Sequence, residues 1–218
     1  AVSPDAEIFV GCVASSIDNA PTHSLQALLI QLGAPVPLAK AACCGALAQH
    51  AGDLSHAAVQ RERIGRDAPA LGALDSGCIG DLRRSGRTVH EACRFILEHW
   101  PAHREALPLA ETVAVHLPCT HQNVCGDSHA VRELLQRIPE LTTVGVRGLG
   151  CCGASGLQML TDAEHARTFA ESLLAEIPAT VTTLVSTNVG CRTHLRKVAR
   201  AAGRQLSVIH PLELLKFK

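Results

Sequence analysis

The chain has 218 residues, and its 20 basic and 20 acidic side chains give a formal net charge of zero at pH 7. That balance argues against a nucleic-acid-binding or membrane-surface protein, and no apolar run approaches the roughly 18 residues that a membrane-spanning helix needs. The apolar fraction of 47% can fill a core, but aromatic residues make up only 2%, so we expect that core to be aliphatic.

The N-terminal stretch AVSPDAEIFV contains neither a basic segment nor a long apolar one. It therefore does not resemble a secretory signal, and we expect a cytoplasmic protein. Thiols stay reduced in the cytoplasm, so the ten cysteines are expected to bind metal or take part in catalysis rather than form disulfides.

Strands and helices are predicted to alternate through the first half of the chain. Leucines at i, i+3, i+4 and i+7 mark an amphipathic helix at 24–32, and Ser55 is a candidate N-cap for the helix that follows. In chain order we predict a strand at 7–13, helices at 24–32 and 54–66, a strand at 70–78 and a helix at 90–99.

The second half is predicted to repeat this order. We expect strands at 111–117, 142–146 and 181–186, helices at 127–137 and 162–175, a long helix ending near residue 202, and a last short strand and helix. Such alternation is typical of parallel sheets with helices on both faces. We therefore predict an α/β fold of two duplicated Rossmann-like domains, 1–104 and 105–218, separated within the proline-containing segment 101–109.

The most specific feature of the sequence is a doubled cysteine pattern. Each half contains a Cys-Cys-Gly step, with 30 or 31 residues between it and an upstream cysteine and 33 or 38 residues before a downstream one. The first set is Cys12, Cys43, Cys44 and Cys78, and the second set is Cys119, Cys151, Cys152 and Cys191. An ancient duplication is the simplest account of two sets with such similar spacing.

Each set is predicted to form one metal centre. Loops at the carboxyl ends of parallel strands converge, and the outer cysteines of both sets follow predicted strands. Gly45 and Gly153 can adopt positive φ, which lets the chain turn so that both adjacent thiols reach one centre. Four thiolates repel one another unless iron or zinc compensates their charge. The alternatives are buried thiols without metal, a disulfide arrangement, and one metal site beside a decayed one.

The motifs FVGCVAS, CCGALAQH, SGCIGD, HLPCTHQN, CCGASG and NVGCRTHL occur in that order. With them the chain, from about residue 7 to 216, resembles the cysteine-rich CCG-domain family, which includes the B subunit of heterodisulfide reductase and the iron–sulfur subunit of glycolate oxidase. The resemblance implies an iron–sulfur subunit of a heterodisulfide-reductase-like or 2-hydroxyacid (glycolate) oxidase complex. It also implies that the eight cysteines hold 4Fe–4S or non-cubane clusters.

The sequence departs from the family pattern at the last position of each motif, where the family has a further cysteine. Asp81 stands there in the first half and His194 in the second, which argues against direct disulfide reduction. Either side chain is a candidate cluster ligand; alternatively, Asp81 is a carboxylate favoured by a helix N-terminus and His194 an ordinary solvated or core histidine. His50 and His121 are candidates for hydrogen bonds to the ligands.

The family's longer members also carry a ferredoxin-like region with two Cys-x-x-Cys-x-x-Cys runs, which this chain lacks. The resemblance therefore implies either that a ferredoxin-type iron–sulfur subunit and a flavoprotein subunit are separate partners, or that the chain is part of a longer protein. Two other hypotheses are a thiol-disulfide or persulfide-handling subunit of a sulfur-oxidising complex, and a zinc-stapled assembly module with zinc in place of iron.

Two cysteines and one row of arginines lie outside the doubled pattern. Cys93 is expected to be a buried thiol in an amphipathic helix, whereas Cys125 is a candidate to approach the second cysteine set. Arginine recurs every four residues from 192 to 204. This spacing predicts a basic row on the last long helix, either solvated or available to an acidic partner.

Overall fold

The computed structural model describes residues 6–40, 43–64 and 69–218. The strands are β1 (Glu7–Phe9), β2 (Leu71–Ala73), β3 (Val89–Glu91), β4 (Thr112–His116), β5 (Thr142–Val146), β6 (Thr183–Ser186) and β7 (Ser207–Ile209). They form a three-stranded sheet in the order β1-β2-β3 and a four-stranded sheet in the order β5-β4-β6-β7. All neighbouring strands are parallel, so the predicted duplicated α/β fold is confirmed.

Helices connect the strands and pack against the sheets. Within the described residues they are α1 (Cys12–Ile17), α2 (Ala20–Gln31), α3 (Ala46–His50), α4 (Leu54–Ile64), α5 (Ser76–Arg84), α6 (Ala92–His99), α7 (Ser128–Gln136), α8 (Gln158–Thr161), α9 (Ala163–Ala175) and α10 (Val189–Ala201). A π-helix at His121–Cys125 and a 3₁₀ helix at Pro211–Glu213 complete the set. In the described parts of the chain, no helix combines the length and apolar character needed to cross a membrane.

Helix α5 was not among the predicted helices, and it begins inside the strand expected at 70–78. The strand expected at 70–78 ends at Ala73, and Cys78 lies in the first turn of α5 rather than in a turn after the strand. The reason is a helix cap: the Asp75 carboxylate accepts a hydrogen bond from the Gly77 amide at 2.9 Å. This cap ends the extended segment and starts the helix.

Two other local predictions need correction. Helix α4 is capped by Asp53, whose Oδ1 accepts a hydrogen bond from the His56 amide at 3.0 Å, and not by Ser55. Strand β3 was not predicted, because its residues 90 and 91 were assigned to the helix expected at 90–99; that helix begins only at Ala92, after its N-cap Glu91. It pairs with β2 and forms one edge of the first sheet.

Strand β4 illustrates how the sheets separate three apolar cores. Val113 and Val115 face a central core, whereas Ala114 between them faces a second core, because successive strand residues point to opposite sides. In the first sheet, Ile8 likewise faces the central core and Phe9 a third core. The central core therefore lies between the two sheets and contains residues from both halves of the chain. Its members include Leu25, Leu29, Phe95, Leu134 and Leu212. The domain boundary at residue 104 stays a prediction.

A buried ion pair also joins the two halves. Arg192 on α10 is 1% exposed; its Nε donates to Asp18 Oδ2 at 2.7 Å and its Nη1 donates to the Ser186 carbonyl at 2.9 Å. The prediction of a basic row on the surface is therefore wrong at its first position. Asp18, contributed by the first half, supplies the charge that makes burial of this guanidinium tolerable.

Candidate metal centres

The topology brings each cysteine set to the carboxyl edge of one sheet. Cys12 begins α1 just after β1, and Cys78 lies in the first turn of α5 just after β2. In the second half, Cys119 follows β4 and Cys191 lies in the first turn of α10 after β6. The two Cys-Cys-Gly steps occupy the loops that precede α3 and α8. Residues far apart in sequence thus meet where parallel strands end.

In the first centre, formed by the first cysteine set, the thiols meet as two pairs. The Sγ atoms of Cys12 and Cys43 are 3.4 Å apart, and those of Cys44 and Cys78 are 3.0 Å apart. Cys12 is exposed to solvent, whereas Cys44 is buried. Burial, followed by the neighbouring Cys43 thiol, raises the pKa of Cys12 to about 11. The thiol–thiol hydrogen bond lowers the pKa of Cys44 and raises that of Cys78.

The second centre, formed by the second set, repeats this pairing in a more enclosed position. The Sγ atoms of Cys152 and Cys191 are 2.9 Å apart, and both residues are buried. The neighbouring thiols of Cys119 and Cys152 lower the pKa of Cys151, and Cys151 in turn raises the pKa values of both. The four thiols of the second set are therefore close enough to influence one another's protonation.

One histidine lies against the second centre, and the sequence reasoning missed it. A ring nitrogen of His116 and the Sγ atoms of Cys152 and Cys191 lie within 4.8 Å of one another, and all three residues are buried. Nδ1 of His116 is hydrogen-bonded to Ser186 Oγ at 3.0 Å. Burial lowers the pKa of His116 to about 4, so the ring is neutral at pH 7. Its position at the end of a predicted strand, three residues before Cys119, was the available signal.

The glycine of each Cys-Cys-Gly step occupies a left-handed turn that other residues would strain. Gly45 has φ +82° and Gly153 has φ +87°. A Cβ atom at Gly45 would lie 2.9 Å from the Ala57 carbonyl oxygen, and one at Gly153 would overlap the Ala166 carbonyl. The amide of each glycine points at the first sulfur of its own step, at 3.5 Å in the first half and 3.3 Å in the second. These turns fix the separation of the adjacent thiols.

A helix cap precedes the last cysteine of each set by three residues. Asn188 Oδ1 accepts a hydrogen bond from the Cys191 amide at 3.1 Å. In the first half, Asp75 occupies the same place, and its Oδ2 accepts a further hydrogen bond from the Val189 amide at 3.1 Å. The carboxylate of Asp75 therefore joins α5 to α10. Sequence reasoning missed both caps, although an Asp or Asn three residues before the cysteine was visible in each half. Cys78 and Cys191 therefore occupy the same place in the two halves, the first turn of a capped helix.

Each centre has the donor set of a site for a thiophilic metal. All ten cysteines lie in the described parts of the chain and are free thiols, and eight of them converge in two groups of four. Sulfur atoms in the measured pairs, 2.9–3.4 Å apart, are closer than the roughly 3.8 Å that tetrahedral geometry with metal–sulfur bonds of about 2.3 Å requires. A bound group would therefore separate the sulfurs and replace their thiol protons with cationic charge.

Comparison with known proteins agrees with this arrangement. The family model of the CCG cysteine-rich domain matches residues 6–67 and 113–196, which include seven of the eight cysteines. The chain belongs to the cysteine-rich CCG domain family. The glycolate oxidase iron-sulfur subunit of Escherichia coli (strain K12) is 26% identical over 234 residues, which cover 94% of this chain and 56% of that relative. This CCG protein therefore spans little more than half the length of the curated relative that it matches.

In this CCG protein, the two residues that end the motifs bind groups other than sulfur. Asp81 is buried, and its Oδ1 accepts hydrogen bonds from Arg61 at 3.2 Å and from Arg84 at 3.0 Å. His194 is also buried, and its Nε2 donates to the Ala166 carbonyl at 3.0 Å, which anchors α10 to α9. Metal binding by Asp81 or His194 stays a prediction, and the contacts of both side chains do not favour it.

The other two candidate histidines differ in burial. His121 is fully buried, with Nδ1 hydrogen-bonded to Thr187 Oγ1 at 2.7 Å and Nε2 at 3.2 Å from the Asp127 carbonyl. His50 is exposed, and its ring packs over Gly156, where a Cβ atom would lie 2.8 Å from Nδ1. His121 thus holds the π-helix to the loop after β6, and His50 from the first half covers the loop of the second centre.

The two cysteines outside the pattern occupy different cores. Cys93 is completely buried in the central core, as expected from its helix. Cys125 packs in the third core together with Cys44 and Ile79, and its Sγ lies 3.9 Å from the Ser76 carbonyl. Cys125 is therefore a neighbour of the first centre and not of the second, because the π-helix carries it back across to α5.

A further buried set of potential ligands does not have the chemistry of a metal site. Donor atoms of Glu91, Cys93 and His210 lie within 4.8 Å of one another. Nδ1 of His210 accepts a hydrogen bond from the Leu212 amide at 3.2 Å, so the neutral ring carries its proton on Nε2 and has no lone pair free for a cation. Burial raises the pKa of Glu91 and lowers that of His210.

An open groove reaches the first centre from solvent. It has a volume of about 910 Å³, and Cys12 and Cys43 form part of its wall. Basic and polar side chains supply much of the rest, namely His23, Lys40, Arg63, Ser15 and Asn19. A molecule in this groove would contact a thiol of the first centre and a positively charged rim.

Proposed function

We propose that this CCG protein is an iron–sulfur subunit of an oxidoreductase, with one cluster at each of its two centres. The observation that carries the proposal is the convergence of eight cysteines into two quartets with the same pairing. All-sulfur donor sets suit iron–sulfur clusters, and the matching relative is named as an iron-sulfur subunit.

The proposed ligands are the cysteines of the two sets. In the first centre they are Cys12, Cys43, Cys44 and Cys78, and in the second centre Cys119, Cys151, Cys152 and Cys191. A cluster held there supplies one-electron redox chemistry, while the chain supplies eight cysteine sulfurs and apolar cores that limit water access. Both 4Fe–4S and non-cubane clusters are compatible with this donor set.

The protein is further proposed to work inside a larger redox complex in the cytoplasm. A 2-hydroxyacid oxidase complex of the glycolate oxidase type is the first candidate, because the matching relative carries that name. A heterodisulfide-reductase-like complex is the second. In either case the partners would be a ferredoxin-type iron–sulfur region or subunit and a flavoprotein subunit that exchange electrons with the two centres.

Metal analysis of protein purified without oxygen tests the proposal. We expect iron and acid-labile sulfide in the wild type, and we expect Cys44→Ser and Cys152→Ser each to lose roughly half of the iron. Cys93→Ala is the matched control, because it removes a buried thiol that is outside both centres. Zinc without sulfide would instead identify a zinc-stapled module. An unchanged iron content in either serine variant would remove that half from the proposal.

A second candidate function is the handling of a disulfide or persulfide at the first centre. The groove beside Cys12 and Cys43 favours it, since a substrate sulfur could reach an exposed ligand there. Reduction of low-molecular-weight disulfides by the iron-loaded protein, supplied with a chemical reductant, distinguishes the two functions. Turnover that is lost in Cys12→Ser supports sulfur chemistry, whereas redox cycling of the clusters without turnover supports electron transfer alone.

A further inference from the structure

His116 stands in the position of a ligand to the second centre. It is the last residue of β4, and its side chain is 3% exposed. One of its ring nitrogens completes a triangle with Cys152 Sγ and Cys191 Sγ in which no two of the donor atoms are more than 4.8 Å apart. The nitrogen is therefore close enough to both sulfur atoms to bind the same metal.

Ser186 fixes the orientation of the ring. His116 and Ser186 are register partners on the neighbouring strands β4 and β6, so their side chains point to the same side of the sheet. Nδ1 lies 3.0 Å from Ser186 Oγ, and a serine oxygen can accept its proton. In the tautomer with the proton on Nδ1, Nε2 carries the lone pair that a metal ligand needs. Histidines that bind metals are usually held in this way, with the second nitrogen bonded to a neighbouring group.

The first centre has an apolar residue at the equivalent position. Phe9 lies three residues before Cys12, as His116 lies three residues before Cys119. The Phe9 ring also lies near its centre: a Cβ atom at Gly11 would be 3.6 Å from Phe9 Cε1 and 3.4 Å from Cys78 Sγ. Both halves thus place a ring beside the downstream cysteine, but only the ring in the second half carries a donor atom.

We propose that His116 is a nitrogen ligand of the second centre, which gives that centre four thiolates and one imidazole. The inference rests on the proposed function, because it requires a metal or cluster at the second centre. It assigns the non-sulfur ligand to the end of β4 instead of to His194, whose Nε2 is bonded to a backbone carbonyl. A neutral imidazole adds no negative charge, so the second centre should be easier to reduce than one with a fifth thiolate.

Pulsed EPR of reduced, iron-loaded protein containing ¹⁵N-histidine tests this assignment. We expect a strong nitrogen hyperfine coupling in the wild type and its loss in His116→Phe, which copies the first half. His194→Gln is the control and should retain the coupling. His116→Cys should also lose the nitrogen signal, keep its iron, and show a lower midpoint potential. If the bound metal is zinc, substitution with cobalt(II) supplies the paramagnet for the same measurement.

The outcomes separate this inference from the proposed function. Metal bound by all eight cysteines without a histidine coupling, or a coupling that survives in His116→Phe, overturns the assignment and leaves the function standing. No metal at the second centre overturns this assignment and removes the second half from the proposed function. If His116→Phe fails to fold, the comparison of wild type with His116→Cys decides the question, because cysteine is small enough for the space.

Discussion

In both halves of the molecule the second thiol of the Cys-Cys step is hydrogen-bonded to the downstream cysteine, yet the two centres differ in what surrounds them. At the first centre Cys12 is exposed and borders a groove of about 910 Å³. At the second centre Cys152 and Cys191 are buried beside the His116 ring. The flanking ring is apolar in one half, at Phe9, and a potential donor in the other.

This difference shows that the spacing of the sulfurs and the surroundings of each centre depend on different parts of the chain. The spacing of the sulfurs depends on strand ends, on Gly45 and Gly153, and on the helix caps, and all of these are repeated. Solvent access and non-sulfur neighbours depend on side chains that the repeat does not constrain, such as Asp81 with its two arginines. The centres therefore have the same thiol pairing but should differ in accessibility and in reduction potential.

The largest effect is expected from removing the ion pair that connects the halves. Arg192→Leu leaves Asp18 buried without its main partner, and we expect a loss of about 3–5 kcal/mol in the free energy of unfolding. Urea unfolding measures it. Arg200→Ala, an exposed change on the same helix, should alter stability by less than about 0.5 kcal/mol. Equal effects of the two variants would mean that the buried pair does not couple the halves.

The next effect tests whether the two Cys-Cys-Gly turns are equally constrained. Gly153→Ala combines a positive φ with overlap of the Ala166 carbonyl, so a cost of about 2–5 kcal/mol is expected from backbone strain and overpacking. Gly45→Ala should cost somewhat less, since its Cβ would be 2.9 Å from the Ala57 carbonyl oxygen.

Gly203→Ala is the matched control for these turns. Its φ is +70°, but no atom lies within 4 Å of the added Cβ, so only the backbone strain of about 1–2 kcal/mol applies. Iron content measured beside stability should fall in the altered half and not in the control. If Gly203→Ala lowers the free energy of unfolding as much as Gly153→Ala does, the loss arises from the positive φ angle alone and not from contact with the Ala166 carbonyl.

The cysteine arrangement was accessible from sequence because it depends on local signals that recur. The apolar run at 111–117 predicted β4, and the Cys-Cys-Gly steps predicted sharp turns with positive φ. The contacts of Asp81 were not accessible, because one of its arginines, Arg61, lies on a different helix. The position of His194, three residues after Cys191, likewise could not reveal that its Nε2 donates to the Ala166 carbonyl on α9.

The role of His116 could be predicted from the sequence only in part. Its place before Cys119 and the offset that aligns it with Phe9 were both present in the sequence. What the sequence lacked was the register of β4 with β6, which sets Ser186 beside the ring and turns it toward the sulfurs. Pairing register arises from the whole sheet, so a local motif could not supply it.

The smallest effect expected concerns acid sensitivity, which should arise mainly from the second half. His210 is completely buried, and burial holds its pKa well below 6.5. As the pH falls below 6.5, the unfolded chain binds a proton at this histidine and the folded chain does not. The folded state therefore loses stability, by at most about 1.4 kcal/mol per pH unit for this one group.

His210→Asn should make that loss shallower, since asparagine can still accept the hydrogen bond of the Leu212 amide at the cap but does not titrate. Urea unfolding at pH 7 and pH 5 measures the difference, with His129→Asn as the control because the His129 side chain is 71% exposed. Glu91 works in the opposite direction, because its raised pKa makes the folded state bind the extra proton. A pH slope unchanged by His210→Asn would show that the buried imidazole is already protonated in the folded protein, and the acid sensitivity of the second half would then have to come from His116, whose pKa burial lowers to about 4, and from its thiols.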